Sequence, residues 1–448
     1  MLGNQNNDGQ QAVWGNGLKL LCNPNHELIR LADRLDWKSM EGRFSPLYSP
    51  IGRPSIPVRV MVGLLILAEM RHFSDEETVK EFCQNVYWQY FCGYETMTWE
   101  APCHPSELGK FRKRIGPEGV EAILGWTIQH HKDHGSVQSQ MVVIDSTVQE
   151  KNVTTPRDHK LYRKIAETVL SLAATEGVVL RRSYRRVIKR QIMKLRTRNF
   201  PKAKKQAARA TRRLRTIAGA LLRDFCRKIR DDRRWVHEDL IARMKWVLVQ
   251  KAGGPGHVYS LHEPQVYCMA KGKDRAQYEF GTKVTLAIDP KSGVIVGAMN
   301  HARNSHDSHV MSELSGQIES LTGTKPSVMI GDHGYRDADE QGSLMNDGIR
   351  IVTPADLKRV EKRTSEYGRV RKMVKMRARI EAVIGHLKTD HRLGRNFLRG
   401  WLGDEQNVLL AAVGWNIRKL LRFLSEIFQV LRICLSRFAV GTRLEPSF

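Results

Sequence analysis

Apolar residues recur at helical spacing over residues 17–135 and again over 405–448, whereas residues 140–404 mix that spacing with short apolar runs. Helical spacing predicts an all-helical domain at the start of the chain and a helix at its end. Short apolar runs between turn residues are typical of buried strands, so the middle region predicts an α/β domain with a mixed sheet. Residues 1–16 are polar and rich in Gly, Asn and Gln, which indicates a disordered lead-in.

One long interruption follows the first predicted strand of the middle region, which ends at Asp145. From about 158 to 250 the chain is rich in Ala, Arg, Lys and Leu, a composition that favours helices. Strand patterns resume at His257 and continue to Ile288. We therefore expect a large basic helical insertion after the first strand of the α/β domain.

Positive charge dominates the composition. The 448 residues include 73 Lys and Arg against 47 Asp and Glu, which gives a net charge of +26. Between Arg181 and Arg234 there are 22 basic and 3 acidic residues, so most of the excess lies in the predicted insertion. Such an excess raises self-repulsion in a compact fold and is typical of proteins that bind a polyanion, nucleic acid above all. The alternative is a solvated basic segment of the kind that ribosomal proteins carry.

Cysteine usage and hydropathy limit the location of the protein. The seven cysteines are scattered and include no Cys-x-x-Cys pair, which argues against a disulfide framework and a thiolate zinc site and predicts a reducing cytoplasm. The most apolar long stretch, 408–440, is interrupted by charged residues at short intervals. This pattern excludes a membrane span and predicts an amphipathic helix that packs on the protein itself or on a second copy.

A basic helix is predicted near the end of the first domain, over Pro105 to Ile115. Its Arg112, Lys113 and Arg114 indicate a cationic face that could contact DNA. Several short helices followed by a basic one suit a helix-turn-helix-like DNA-docking module. Small helical bundles with basic surfaces are common, and that interpretation remains open beside the first.

Three carboxylates are the candidate catalytic residues. Asp145 and Asp332 each end an apolar run that predicts a buried strand, and an acid at that position is hard to explain as packing. Glu381 lies in a basic predicted helix, where Arg377, Glu381 and Lys388 fall within about 40° of one another at the ideal helical turn. The alternative for this trio is an ordinary surface ion pair between Arg377 and Glu381. Carboxylates that converge repel unless cations lie between them, so the three together predict a divalent-metal site.

Two histidine groups could also suggest a metal site: His130, His131 and His134, and His301, His306 and His309. For the first group a polar loop is the favoured interpretation. For the second, a turn with Asp307 as a helix N-cap is favoured over metal ligation. Ser146 and Thr147 follow Asp145, yet no His and Asp pattern marks either one as a nucleophile, so they are interpreted as polar groups of the strand.

These motifs resemble the DDE transposases of bacterial insertion sequences, in the group whose last acid lies in an R-x3-E-x6-K helix. Here that pattern is Arg377, Glu381 and Lys388, and Val374 stands where some members carry a Tyr. Further similar blocks are Gly52 to Gly93, Ile144 to Lys151, Ala270 to Lys273, Gly281 to Lys283, Asn304-x-x-Asp307, Asp332-x-Gly334-Tyr335 and Gly385 to Arg392. The order and combined extent of the blocks, which cover most of the chain, carry the resemblance.

The resemblance implies an RNase H-like fold, with a mixed five-stranded sheet flanked by helices. It implies that Asp145, Asp332 and Glu381 are the catalytic acids and hold Mg2+ (two ions, with Mn2+ as a substitute), Asp145 as the bridging ligand. It also implies cutting at terminal inverted repeats and joining to target DNA. Arg377 and Lys388 would then contact phosphates, and DNA contact is also expected of Lys283.

Double-stranded DNA is thus the expected partner, with a location at the nucleoid. Pairing two DNA ends suggests a homodimer in the working complex. Two other functions remain open. One is a domesticated DNA-binding or repressor protein without turnover, and the other is a metal-dependent nuclease without strand transfer.

Overall fold

The computed structural model describes residues 17–49, 51–52, 54–138, 140–251, 254, 256–273, 276–304, 306, 310–335 and 344–441, with no side-chain description for 271–273, 276–277 and 426–441. The chain forms two compact units, one of Met1–Gln149 with Lys283–Phe448 and the other of Glu150–Thr282. This division differs from the three predicted regions, because the N-terminal helices, the sheet and the C-terminal helix bury their apolar residues in one shared core. The predicted lead-in 1–16 lies outside the described residues, as do Asp307 and His309.

The helices and strands follow one another in this order: α1 (Gly17–Leu21), α2 (Glu27–Arg34), α3 (Trp37–Phe44), α4 (Val58–Arg71), α5 (Asp75–Gln84), α6 (Val86–Phe91), α7 (Pro105–Asp133), β1 (Met141–Lys151), α8 (Asp158–Thr175), α9 (Arg185–Leu195), α10 (Lys204–Lys228), α11 (Asp231–Arg234), α12 (Glu238–Val249), β2 (Tyr267–Lys273), β3 (Ala276–Ile288), β4 (Ile295–His301), α13 (Met311–Thr322), β5 (Val328–Ile330), β6 (Arg350–Val352), α14 (Ser365–Met376), α15 (Ala378–Asp390), β7 (Arg395–Asn396) and α16 (Gly400–Gly441). The predicted α/β class is thereby observed, with many helices around a mixed sheet.

Local sequence signals set several helix ends in the first unit. Ser74 caps α5 by accepting from the Glu77 amide at 3.2 Å, while the Glu77 carboxylate accepts from the Ser74 amide at 2.8 Å. Helix α7 is interrupted at Gly116, whose φ of 66° favours glycine. The next residue, Pro117, disfavours helical geometry in the residue before it, so the predicted helix ends at Ile115 as expected.

The sheet of the first unit is mixed. β1 pairs with β5 and β5 pairs with β6, both in parallel, while β3 pairs with β4 in antiparallel fashion. β3 also neighbours β1, so the strands lie in the order β4, β3, β1, β5, β6. The short β7 pairs with β1, which adds a strand to the five that the resemblance implies.

Alternate residues of these strands face two different cores. In β1, Val143 belongs to the large cluster shared with the N-terminal helices, whereas Val142 and Ile144 belong to a second cluster. Each face is covered by a helix: Ile380, Val383 and Leu387 of α15 join the first cluster, and Met311, Leu314 and Ile318 of α13 join the second. The sheet is therefore buried on both sides, as expected for parallel strands.

The C-terminal helix α16 packs on the protein itself, which is one of the two alternatives that the sequence left open. Residues 408–417 are buried on all sides, whereas Arg418 and Lys419 are partly exposed and Arg422 is exposed. Asn416 donates from Nδ2 to the Ile295 carbonyl and accepts from the Ile295 amide, both at 2.9 Å. Gln406 donates to the Arg112 carbonyl at 2.7 Å. These hydrogen bonds allow polar residues to enter the core. Within the part of the chain that the structure describes, no helix is both long and apolar enough to cross a membrane.

The second unit contains the predicted helical insertion. Helices α8 to α12 bury a core of their own that includes Ile165, Leu214 and Phe225. β2 pairs with β3 in antiparallel fashion from Tyr267↔Gly281 onwards. Outside the helices, a buried ion pair joins the ammonium of Lys151 to the carboxylate of Glu263 at 3.3 Å.

Candidate active site

The two candidate aspartates are carried by neighbouring parallel strands. Asp332 follows β5, whereas Asp145 lies within β1, which continues to Lys151 and does not end at Asp145 as predicted. The described register of β1 with β5 ends at the pair Val143↔Ile330. Asp145 and Asp332 each lie two residues beyond that pair, and the Gly331 amide still donates to β6 at 3.1 Å. The register therefore sets the two aspartates side by side on strands whose backbones are about 5 Å apart.

Both aspartates share a face of the sheet with the helix of Glu381. Side chains alternate along a strand, so Asp145 has the orientation of Val143 and Asp332 has that of Ile330. Val143 and Ile330 belong to the core cluster that contains the buried residues of α15. Both aspartates are half-buried at the edge of this cluster.

Glu381 lies in the first turn of α15 with 58% of its side chain exposed. Arg377 Nη2 donates to Glu381 Oε1 at 2.8 Å, which is the i, i+4 ion pair that the sequence offered as the alternative. Lys388 is half-buried two turns further along the same helix. The predicted single helix is divided at Arg377 into α14 and α15, and α14 begins earlier than expected, at Ser365.

The donor chemistry at this site suits a hard divalent cation, because carboxylate oxygens are the ligands that Mg2+ prefers. Asp145 and Asp332 supply such oxygens from adjacent strands. Glu381 directs an oxygen to Arg377 instead. Accordingly, within the described ranges no three His, Cys, Asp or Glu side chains lie close enough together to hold a metal ion.

A chain of hydrogen bonds joins the segments that carry the two aspartates. Tyr335 Oη lies 2.7 Å from Ser146 Oγ, Ser146 Oγ lies 2.9 Å from Thr285 Oγ1, and Thr285 Oγ1 lies 2.8 Å from His301 Nε2. Tyr335 is fully buried, so its hydroxyl requires a partner of this kind. No motif in the sequence predicts this network, although its residues lie within or beside the blocks that resemble DDE transposases. Their pairing across three strands and a turn has no sequence signal.

Close packing fixes the turn after Asp332. A Cβ added at Gly331 would lie 2.7 Å from Tyr335 Cδ2, closer than side-chain carbons approach one another. Asp332 Oδ1 also accepts from the Gly334 amide at 2.8 Å. The absence of a side chain at Gly331 therefore lets the Tyr335 ring fold back against the strand end, with its hydroxyl near Ser146.

The predicted basic face of α7 is only partly exposed. Lys113 and Arg114 are exposed, and the Arg114 guanidinium lies 4.5 Å from the centre of the Tyr48 ring. Arg112, by contrast, is 8% exposed and forms a two-pronged ion pair with Asp75 at the start of α5. The expectation that Arg112 contributes to an exposed DNA-binding face is therefore wrong, because this guanidinium joins two helices of the core.

Lys283 lies in β3, opposite His301 of β4. Only 8% of this residue is exposed.

The histidine groups do not form a metal site among the described residues. His130 and His131 lie in α7, not in a polar loop. His131 is 1% exposed, and its two ring nitrogens lie 2.9 Å from the Asn416 carbonyl and 3.0 Å from Ser136 Oγ. Burial lowers the pKa of His131 to about 4, so the ring is neutral and structural. His301 takes part in the hydrogen-bond network described above.

Comparison with known proteins agrees with this architecture. Residues 18–114 match a family described as a transposase domain (DUF772), and residues 254–417 match a family described as a transposase DDE domain. The second match includes Asp332 and Glu381, whereas Asp145 precedes it.

A protein described as "Uncharacterized protein ORF8 in nfe locus" from Rhizobium meliloti is 36% identical over 191 residues, which cover 42% of this chain and 92% of that protein. No solved structure matches the chain. The two family matches and this relative support one assignment. The chain belongs to the DDE-type transposases of insertion sequences.

Proposed function

We propose that this transposase cuts DNA at the terminal inverted repeats of its insertion sequence and joins the ends to target DNA. The observation that carries the proposal is the parallel pairing of β1 with β5, which brings Asp145 of β1 beside Asp332, two residues after β5. Two carboxylates at that spacing repel each other in the absence of a cation, which favours a catalytic role over a packing role.

The proposed catalytic acids are Asp145, Asp332 and Glu381. We expect Glu381 to complete the set by releasing Arg377 and offering its exposed carboxylate to a metal ion instead. The released Arg377 is then available to a phosphate oxygen, together with Lys388.

Mg2+ is the proposed cofactor, as two ions with Mn2+ as a substitute. When bound, such ions activate the attacking hydroxyl or water and stabilise the leaving oxygen. The protein would contribute carboxylates from two adjacent strand segments and one helix, and cations that neutralise the phosphate. No side chain in this arrangement needs to act as a covalent nucleophile.

An RNase H-like catalytic domain is proposed on the same grounds. Strands β4, β3, β1, β5 and β6 lie side by side in a mixed sheet with a helix on each face. Asp145 lies within β1, Asp332 follows β5, and Glu381 lies in the first turn of the covering helix α15. The helices of 17–135 are proposed to dock the terminal repeats through exposed cations such as Lys113 and Arg114. Pairing of two DNA ends leads us to propose a homodimer in the DNA complex.

Asp145→Asn tests the proposal. The amide keeps the size of the side chain and removes its charge, so we expect no plasmid excision and no joined product, with binding to the terminal repeats retained. Glu150→Gln, an exposed acid on the same strand, is the matched control and should leave both activities unchanged. Excision by Asp145→Asn at the wild-type level would refute the assignment. Cleavage by the wild-type protein without joined product in a two-plasmid assay would identify a nuclease instead.

A further inference from the structure

A cavity of about 500 Å³ lies between α9 and the start of α10 in the second unit. It is named the basic groove after the five cations that line it, which are Lys194, Lys202, Lys205, Arg209 and Arg213. No acidic residue lines it. All five cations are exposed, so their charged ends are accessible from solvent.

Helix geometry aligns three of the cations. Lys205, Arg209 and Arg213 are four residues apart on α10, so they form a stripe along one helix face about 12 Å long. Lys194 of α9 and Lys202, which precedes α10, widen the stripe at one end. Like charges four residues apart destabilise a helix, so the stripe costs folding free energy unless an anion covers it.

Some other cations of the second unit are paired with acids. Asp224 lies within 3.8 Å of Arg181 and Arg227 and 3.5 Å of Lys228. Glu176 accepts two hydrogen bonds from Arg233, at 2.9 and 3.2 Å. By contrast, none of the five groove cations forms an ion pair with another described residue. The basic groove therefore brings together five cations that no described acid neutralises.

We propose that the basic groove binds the phosphate backbone of double-stranded DNA without reading its base sequence. Phosphates follow one another every 3.4 Å or so along the axis of one strand, so a 12 Å stripe, roughly, spans several of them. The lining has no aromatic residue that could stack on a base, and its cations are long, flexible donors suited to phosphate oxygens. The inference rests on the proposed function only in taking DNA as the polyanion.

The test is DNA binding by the full chain, measured by fluorescence anisotropy with a duplex of arbitrary sequence between 50 and 300 mM salt, roughly the range in which counterion release dominates. The groove variant carries Lys202→Gln, Lys205→Gln and Arg209→Gln. The matched control carries Lys164→Gln, Arg182→Gln and Lys245→Gln, three exposed cations of the same unit that do not line the groove.

The plot of log affinity against log salt has a negative slope, and each lost phosphate contact makes that slope shallower by about 0.9. The slope for the groove variant should therefore be shallower by about 2.7, and this variant should bind on the order of 100-fold more weakly near 0.1 M salt. The control variant should change both quantities much less, and circular dichroism should show that both variants are folded.

Three outcomes would overturn the proposal: equal losses in both variants, an unchanged groove variant, or groove-dependent binding that an RNA duplex competes for better than DNA. The assay contains EDTA and no divalent metal, so it measures DNA binding without any contribution from metal ions at the candidate active site. Failure of the proposed cutting and joining would appear instead in the excision assay, with DNA binding intact.

Discussion

Replacing Tyr335 with Phe removes one buried hydroxyl that joins the turn after Asp332 to the strand that carries Asp145. The hydroxyl lies 2.7 Å from Ser146 Oγ, and Ser146 retains a second partner, Thr285, at 2.9 Å. Because no partner is left wholly unsatisfied, the expected loss of stability is about 1 kcal/mol. The aromatic ring, which is fully buried, keeps its packing in this variant.

The effect on activity should exceed the effect on stability. Without the hydrogen bond, the turn that orients Asp332 is free to shift relative to Asp145, and displacements near 1 Å at reacting groups lower rates by up to about 100-fold. We expect plasmid excision to fall between about tenfold and about 100-fold. Binding to the terminal repeats should not change, since Tyr335 is buried away from any DNA surface.

A double-mutant cycle with Ser146→Ala isolates the interaction. The coupling free energy between Tyr335→Phe and Ser146→Ala, measured by urea denaturation, should be about 1 kcal/mol. Tyr278→Phe, at a residue that is 59% exposed, serves as the control for loss of a tyrosine hydroxyl. Zero coupling together with wild-type excision by Tyr335→Phe would refute a positioning role for the network.

Three further predictions follow from other contacts. Arg112→Ala should destabilise the first unit by about 3 kcal/mol, because it leaves the partly buried carboxylate of its α5 partner unpaired; urea denaturation would measure this, and a loss below about 0.5 kcal/mol would contradict it. Burial raises the pKa of Glu69 to about 7, so its contribution to stability is fully present below the unfolded value near 4.5 and is lost as pH rises through 7. Glu69→Gln should therefore gain about 3 kcal/mol relative to wild type between pH 4.5 and pH 8, and a pH-independent difference would count against this pKa. Gly331→Ala should lower both excision and thermal stability, since the Tyr335 ring cannot yield, whereas Gly316→Ala, where a Cβ meets nothing within 4 Å, should be neutral or stabilising.

Local chemistry made much of the architecture predictable. The capping box at Ser74 and the Gly116-Pro117 break determine helix ends through contacts within a few residues, so the sequence indicates them directly. The apolar run before Asp145 predicted a buried strand, because a strand that is buried on both faces has no alternation of apolar and polar residues. The basic composition of 158–250 likewise predicted the helical insertion.

Other features depended on partners far along the chain. Arg112 has the same local pattern as Lys113 and Arg114, and only the docking of α7 against α5 separates a buried ion pair from an exposed basic face. The charges of 408–440 predicted a helix that packs on the protein itself or on a second copy, and only the tertiary structure shows that residues 408–417 are buried on all sides, with Asn416 hydrogen-bonded to Ile295 of β4.

By itself, then, the sequence determined the α/β class and the basic helical insertion, since both depend on residue type and short-range periodicity, and it marked the three acids as candidates. Only the tertiary structure decided that Asp145 stands beside Asp332, that Glu381 faces Arg377, and that five cations converge on one groove. The physical reason is that strand order, register and helix docking are set by burial of apolar surface over the whole chain, which no local pattern records.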